Sequence, residues 1–343
     1  MKWMLLAVLL AVVAGIIGIS LYGIKLFRKM ICRCPYAKAP TPDEAEEPIR
    51  LDPDWEPFRE AFQEGKKYFC LADRERVEIT SHDGIQLVGH ILWPEGVRQS
   101  NSDAASGVVT AGTPDLSKIK GFFLLMHGFH GTGYSNFGLV LPFYMSLGYA
   151  ILLVDERAHQ ESGGDYITFG IKERFDCRDW VGYLSQRFGK EMPIFLDGIS
   201  MGATVVMMAS ALDLPGNVRG VIADCGFTSP KAIMEHVMEH RMHLPVKILS
   251  PLSGLLCRFM AGFDWEAYST LDAMKEGRLP ILFIHGRADD FVPCYMTEQN
   301  YEACTAWKDV FYVEEAGHGL CYLYETKACQ EALAAFVNRC NPV

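Results

Sequence analysis

In the stretch Gly198-Ile199-Ser200-Met201-Gly202, one hydroxyl stands between two glycines where an apolar run gives way to small and β-branched residues. A serine hydroxyl is a poor nucleophile unless it faces substrate and its proton has somewhere to go. A sharp strand-to-helix turn exposes the Oγ atom but crowds the backbone on either side. Gly198 and Gly202 have no Cβ to collide there. The helix expected to begin near Met201 offers free N–H groups and a positive dipole end to an oxyanion. Further along, Asp289 and Asp290 lie in His285-Gly286-Arg287-Ala288-Asp289-Asp290, and an imidazole lies in Gly317-His318-Gly319. A hydroxyl, a carboxylate and an imidazole thus occur in the chain order Ser, Asp, His. Brought together, such groups perform acyl transfer: the imidazole takes the serine's proton and the carboxylate orients the imidazole. The plainer alternatives are Ser200 as a helix N-cap and His318 as a loop histidine satisfied by its neighbours.

Only elements that converge on one edge could position these groups. Short apolar runs recur, each followed by a turn and a helical pattern: "GFFLLMHG" from Gly121, "YAILLVDE" from Tyr149, "MPIFLDG" from Met192, "VRGVIADCG" from Val218, "LPILFIHG" from Leu279 and "KDVFYVEE" from Lys308. Near-continuous hydrophobic runs are expected of parallel strands covered on both faces, and the alternation with helices predicts right-handed crossovers. Ligands bind beyond the carboxyl ends of such strands. His127-Gly128-Phe129-His130-Gly131, Ser200, Asp289 and His318 all fall at those ends. Upstream, alternation on both sides of Asp83-Gly84 predicts a β-hairpin. Residues 95–118, rich in Ser, Gly, Ala and Asn, are expected to form a mobile surface insertion. Between Gly226 and Leu279 the rhythm breaks, and residues from about 227 to 278 fit an inserted helical cap over the sheet's carboxyl edge.

The 343 residues suffice for a sizeable core. A net charge of −10 and the lack of a basic stripe argue against nucleic acid as a partner. Eleven scattered cysteines, without a CxxC pair, suggest reduced thiols and no disulfide framework.

The amino-terminal segment raises a separate expectation. No charged side chain occurs from Trp3 to Ile24, and a helix of that length rises about 33 Å. Lys25, Arg28, Lys29, Arg33 and Lys38 follow it, where a cleaved signal would instead carry its charge in front. The segment 1–27 therefore reads as an uncleaved, single-pass transmembrane anchor, and the positive-inside rule puts the larger part on the cytoplasmic side. Cys32 and Cys34 stand where juxtamembrane cysteines can carry lipid. Residues 28–65, a basic stretch and then Pro- and acid-rich sequence from Ala39 to Pro57, read as a linker, with the folded domain at 66–343.

From about Arg76 to Val337 the chain resembles the α/β-hydrolase superfamily, most closely the serine hydrolases described as serine aminopeptidase-like or lysophospholipase-like, some of which carry an amino-terminal membrane anchor. The matching pieces are "LLMHGFHGTG", "VDERAHQESGG", "LDGISMGA", "ADCGFTSP", "LFIHGRADDFVP" and "EEAGHG". The resemblance implies an α/β-hydrolase fold. Ser200 then matches the nucleophile, His318 the general base and Asp289 the acid. Asp290 is the rival, and the preference for Asp289 rests on its place in an HGxxDxxVP pattern with Val292 and Pro293. The backbone N–H groups of Phe129 and Met201 match the oxyanion hole, while His127 and His285 match structural positions. Asp197, before the turn, reads as a strand-end partner. One departure stands out: after the second parallel strand Asp155, Arg157, His159 and Ser162 fit the pattern D-x-R-G-H-G-x-S, but Ala158 and Gln160 replace its glycines. That leaves the shape of the loop open.

The combined expectation is hydrolysis of carboxylic ester or amide bonds through an acyl-enzyme, without metal or organic cofactor. The Met-, Leu- and Phe-rich cap suggests a lipid-like or other apolar acyl substrate, with peptides as an alternative and the oligomeric state open. Two other classes compete. His236-Val237-Met238-Glu239-His240, with His243 nearby, matches the zinc signature HxxEH. A non-catalytic binding protein on the same fold is the other, since fold does not fix function.

Overall fold

The computed structural model describes residues 2–35, 37–51, 53–102 and 109–342. These form ten strands: β1 (Arg74–Thr80), β2 (Gln86–Leu92), β3 (Arg98–Ser102), β4 (Val109–Pro114), β5 (Gly121–Met126), β6 (Tyr149–Val154), β7 (Ile194–Ile199), β8 (Val218–Asp224), β9 (Ile281–Gly286) and β10 (Lys308–Val313). Eight of them make one sheet in the order β1-β2-β6-β5-β7-β8-β9-β10. β1 and β2 form the antiparallel hairpin expected around Gly84, whose φ of 86° suits glycine. β2 meets β6 antiparallel, and every later pairing is parallel. β5, β6, β7 and β9 are buried along their whole length, as their unbroken apolar sequences require. The central strands thus end together at one rim.

Twelve α-helices surround the sheet: α1 (Lys2–Ile31), α2 (Arg59–Leu71), α3 (Gly133–Phe137), α4 (Leu141–Ser146), α5 (Glu173–Phe188), α6 (Met201–Ala209), α7 (Pro230–His236), α8 (Val246–Met260), α9 (Thr270–Glu276), α10 (Tyr295–Ala303), α11 (Cys321–Tyr324) and α12 (Thr326–Cys340). One face of the sheet packs with α5, α6 and α9, where Trp180, Val206 and Met274 are buried. The other packs with α2, α4 and α12, where Phe69, Tyr144 and Phe336 are buried. A third cluster lies above the rim, where α7 and α8 meet Phe169, Met201 and Phe227. The cap is therefore narrower than its sequence interval: α9 packs with α6 and α10 in the layer beside the sheet. In the 95–118 insertion, β3 and β4 pair antiparallel. Residues 103–108 of that insertion lie outside the described residues.

The reading of the amino-terminal segment needs correction. Among the described residues, no helix is long and apolar enough to cross a membrane. The expected transmembrane anchor, the single-pass arrangement and the cytoplasmic placement derived from it are all withdrawn. The physical reason lies in the last turns of α1. Gly23, Leu26, Phe27, Met30 and Ile31 are buried at helical spacing, while Lys25, Arg28 and Lys29 face outward. The four apolar side chains join the cap cluster, and a Cβ on Gly23 would lie 2.5 Å from Leu252 of α8. Basic residues that resembled a membrane flank are the polar face of an amphipathic helix end docked on the cap.

The stretch expected to be a linker is likewise part of the body. Cys32 forms an isolated antiparallel bridge with Tyr166, and the Ile167 N–H donates to Ile31 O at 2.7 Å. Ala45, Ile49 and Phe62 are buried in the core. Asp52, within this stretch, lies outside the described residues. All eleven cysteines are unpaired. Replacing the buried ring in Phe27→Ala leaves every charge in place and is expected to cost about 3–5 kcal/mol. The denaturant midpoint measures it, and an unchanged midpoint would mean that α1 is not docked.

Candidate active site

Ser200 sits between β7 and α6 with φ 56° and ψ −114°, a left-handed backbone that costs a non-glycine residue about 1–3 kcal/mol. The turn is held by its neighbours: Ser200 N–H donates to Asp224 O at 2.8 Å, and Ser200 O accepts from Thr204 N–H at 3.1 Å. The flanking glycines are a steric necessity. A Cβ on Gly198 would lie 2.2 Å from the Gly202 carbonyl, and one on Gly202 only 1.9 Å from Met126 O. The serine side chain makes no helix-capping bond. It meets His318 instead.

His318 Nε2 lies 2.9 Å from Ser200 Oγ, and Nδ1 lies 2.7 Å from Asp289 Oδ2. A carboxylate only accepts, so Nδ1–H donates to it, and Nε2 is left as acceptor for the serine hydroxyl. Burial would raise the Asp289 pKa. The nearby His318 and the His285 hydrogen bond outweigh it and hold the group well below the usual carboxylate range. Its other oxygen, Oδ1, accepts from the Phe291 and Val292 N–H groups at 2.9 and 2.8 Å. His285 supports this arrangement from below: Nε2 lies 2.8 Å from Val292 O and 3.2 Å from Asp289 Oδ2, while Nδ1 meets Thr297 Oγ1 at 2.7 Å. Asp290 points elsewhere. Its side chain is 76% exposed and pairs with Arg241 at 2.9 Å.

The loop His127–Gly131 stands beside the turn, where a Cβ on Gly128 would lie 3.4 Å from that of Ser200. Among the described residues, no backbone acceptor meets the N–H of Phe129 or of Met201. Two buried imidazoles tie this loop to residues 155–164. His127 Nε2 accepts from Glu156 N–H at 3.1 Å, and His159 Nε2 accepts from His130 N–H at 3.2 Å. Each ring's Nδ1–H donates to a carbonyl, of Gly128 and Arg157 respectively. Burial lowers both pKa values, His127 to about 4. Both rings therefore keep the lone pair that those contacts need. Asp197 accepts from the Tyr144 hydroxyl at 2.5 Å, and burial pushes it up to about 7.

The loop whose shape the sequence left open keeps a left-handed backbone without its glycines: φ is 60° at Ala158 and 38° at Gln160. Arg33 holds it there. Its guanidinium donates to Ser162 O, Gly164 O and Gln160 O at 2.5, 3.1 and 2.6 Å, and Cys34 N–H donates to Ala158 O at 2.9 Å. Below, the buried Arg157 pairs with Asp176 at 2.5 Å and Asp83 at 2.9 Å. Trp55 Nε1–H donates to His318 O at 2.9 Å, fixing the loop that carries the imidazole. Sequence reasoning missed Arg33 and Trp55 as site-supporting residues. Arg33 was absorbed in a charge pattern, and an isolated Trp55 in a proline-rich stretch gives no periodic signal.

The zinc signature does not assemble. A π turn over Val237–Arg241 breaks the helix at His236, and the two imidazoles stack at 4.4 Å. Among the described residues, the clusters close enough to share an ion include none of His236, Glu239 and His240.

Residues 121–250 match the family model for the alpha/beta hydrolase fold. YqkD of Bacillus subtilis (strain 168), an uncharacterized protein, is 25% identical over 198 residues, which are 58% of this chain and 65% of that protein. The match thus spans just under two thirds of that relative's length. The Pyrococcus furiosus esterase Pf2001 is similar with a TM-score of 0.60 at 21% identity, over 86% of this chain and 97% of that chain. The Pyrococcus horikoshii acylaminoacyl peptidase is similar with a TM-score of 0.56 at 15% identity, over 79% of this chain and 42% of that chain. The fold is the alpha/beta hydrolase fold.

The steric argument for the turn has its own check. Gly202→Ala forces backbone apart and is expected to cost about 3 kcal/mol or more. Gly216→Ala, whose Cβ would meet nothing within 4 Å, is the control. Equal thermal midpoints for the two would refute the close approach.

Proposed function

We propose that the protein is a serine hydrolase that cleaves carboxylic esters through an acyl-enzyme. The observation that carries this reading is the continuous hydrogen-bond chain from Ser200 Oγ through His318 to Asp289. Ser200 Oγ attacks the carbonyl carbon while its proton passes to His318 Nε2. Asp289 stabilises the imidazolium, which then protonates the leaving alcohol. Water activated by His318 releases the acid in a second, mirrored step. The N–H groups of Phe129 and Met201 receive the oxyanion, at the amino-terminal end of α6. Removing one such donor costs about 10²–10³ in rate where measured.

The surroundings favour an apolar acyl group. Phe129 stacks on Phe169 at 5.1 Å, Phe169 meets Phe227 at 6.3 Å, and Phe291 lies 5.0 Å from the His318 ring. Above them the cap and the end of α1 contribute Phe27, Met234 and Leu249. The fold likeness to an esterase agrees with this reading, and the likeness to an acylaminoacyl peptidase makes amides the competing substrate class. A p-nitrophenyl ester series of increasing acyl length, run beside aminoacyl amides, separates the two. Higher kcat/KM on the esters is expected, and turnover confined to amides would replace the ester reading.

Ser200→Ala and His318→Ala are each expected to lower ester turnover by about 10⁴-fold or more without unfolding the protein. Wild-type turnover by the serine variant would end the proposal. Asp289→Asn is expected to lower kcat by about 10³–10⁴-fold. Asp290→Asn, which breaks an exposed ion pair, should change it less than about threefold. A larger loss from the second variant would transfer the acid role to Asp290.

A further inference from the structure

Beneath the imidazole lies a sulfur that the reaction does not use. Cys225, the residue after β8, has left-handed φ of 47° and is fully buried. Donor atoms of Cys225, Asp289 and His318 all lie within 4.8 Å of one another. Thiolate, imidazole and carboxylate are the ligand types of protein zinc sites, where bond lengths of about 2.0–2.3 Å put neighbouring donors roughly 3.3–3.6 Å apart. A small inward movement of the three would bring them to that spacing.

The charge around the trio favours a cation. The charged groups that act most on the Cys225 thiol are the carboxylates Asp224 and Asp289. Asp224 gives an independent sign: its Oδ1 is buried and accepts no hydrogen bond among the described residues. A dication placed here would face the Asp289 carboxylate, with that of Asp224 beside the Cys225 thiol. Two other clusters are weaker candidates. In His82, Asp176 and Asp179 the carboxylates are paired with Arg157 and Arg178, and in His90, Asp155 and Glu161 the glutamate is paired with Arg76. Neither contains sulfur.

We propose that Cys225, Asp289 and His318 form an inhibitory site for a thiophilic divalent cation, with Zn²⁺ as the probe. The ion displaces one proton, that of the Cys225 thiol, which leaves to solvent, and takes a lone pair from one ring nitrogen. Zinc on Nδ1 moves the ring's remaining proton to Nε2, where Ser200 needs an acceptor. Zinc on Nε2 occupies that acceptor directly. In both cases the serine keeps its proton and acyl transfer stops. His318 is the open side for entry, its side chain being 18% exposed. Hard, oxygen-preferring Mg²⁺ should not compete.

The inhibitory consequence rests on the serine-hydrolase reading, so the test has an arm that does not. In the first arm, micromolar Zn²⁺ is expected to inhibit ester turnover reversibly to a chelator, and Mg²⁺ is not. Cys225→Ala and Cys225→Ser should each raise the inhibitory zinc concentration at least tenfold while retaining turnover. In the second arm, the Ser200→Ala protein is titrated with Cd²⁺, and thiolate-to-metal absorbance in the ultraviolet is read. One equivalent should give the signal, and the Ser200→Ala, Cys225→Ser protein should lose it. Zinc inhibition unchanged by both cysteine variants, or a cadmium signal unchanged by Cys225→Ser, overturns the site. A protein that hydrolyses neither ester nor amide yet shows the Cys225-dependent cadmium signal would sink the hydrolase reading and leave the cation site standing.

Discussion

The close approach of α6 to the end of β5 is the constraint on which the rest depends. Residue 202 can have no Cβ because Met126 O occupies its place at 1.9 Å. That contact sets the helix directly after the strand and leaves Ser200 no choice but a left-handed backbone. The strain turns Oγ away from a capping role and toward the rim, where β9 and β10 deliver Asp289 and His318. A strained residue persists only where its surroundings over-determine it, and here Asp224 O and Thr204 N–H grip it from both sides.

Around that centre, the rigid sheet positions the groups coarsely and loops refine them. Asp289 is fixed by two backbone donors, so its carboxylate has one oxygen left to orient His318. The loop His127–Gly131 is tied through His127 and His159 to residues 155–164, and that loop is in turn clamped by Arg33. Trp55 reaches the backbone of His318 from a stretch 263 residues earlier. The chain before the sheet is therefore part of what holds the site, packed through the amphipathic end of α1 and through Phe62.

Much of this was legible in the residues. Unbroken apolar runs at Phe122–Met126, Ile151–Val154 and Ile194–Leu196 announce buried parallel strands, because each residue there must satisfy two covered faces. Glycines at 198 and 202 announce a crowded turn. What escaped detection was tertiary. Leu26, Phe27, Met30 and Ile31 carry the spacing of a docked helix, but the longer apolar stretch before them masked it, and their basic neighbours mimicked a membrane flank. Ala158 and Gln160 concealed a left-handed backbone, since the turns there are held by Arg33 and not by glycine. The preference for Asp289 over Asp290 rested on the HGxxDxxVP pattern, and the physical difference between them, the Phe291 and Val292 N–H groups that hold the Asp289 carboxylate, shows only in the folded loop.

The most direct measurement is stoichiometric labelling with a fluorophosphonate, followed by peptide mapping of the folded protein. The account predicts one phosphonate per chain, on Ser200, with labelling suppressed in His318→Ala. A folded protein that takes up no label, or takes it on another residue, contradicts it.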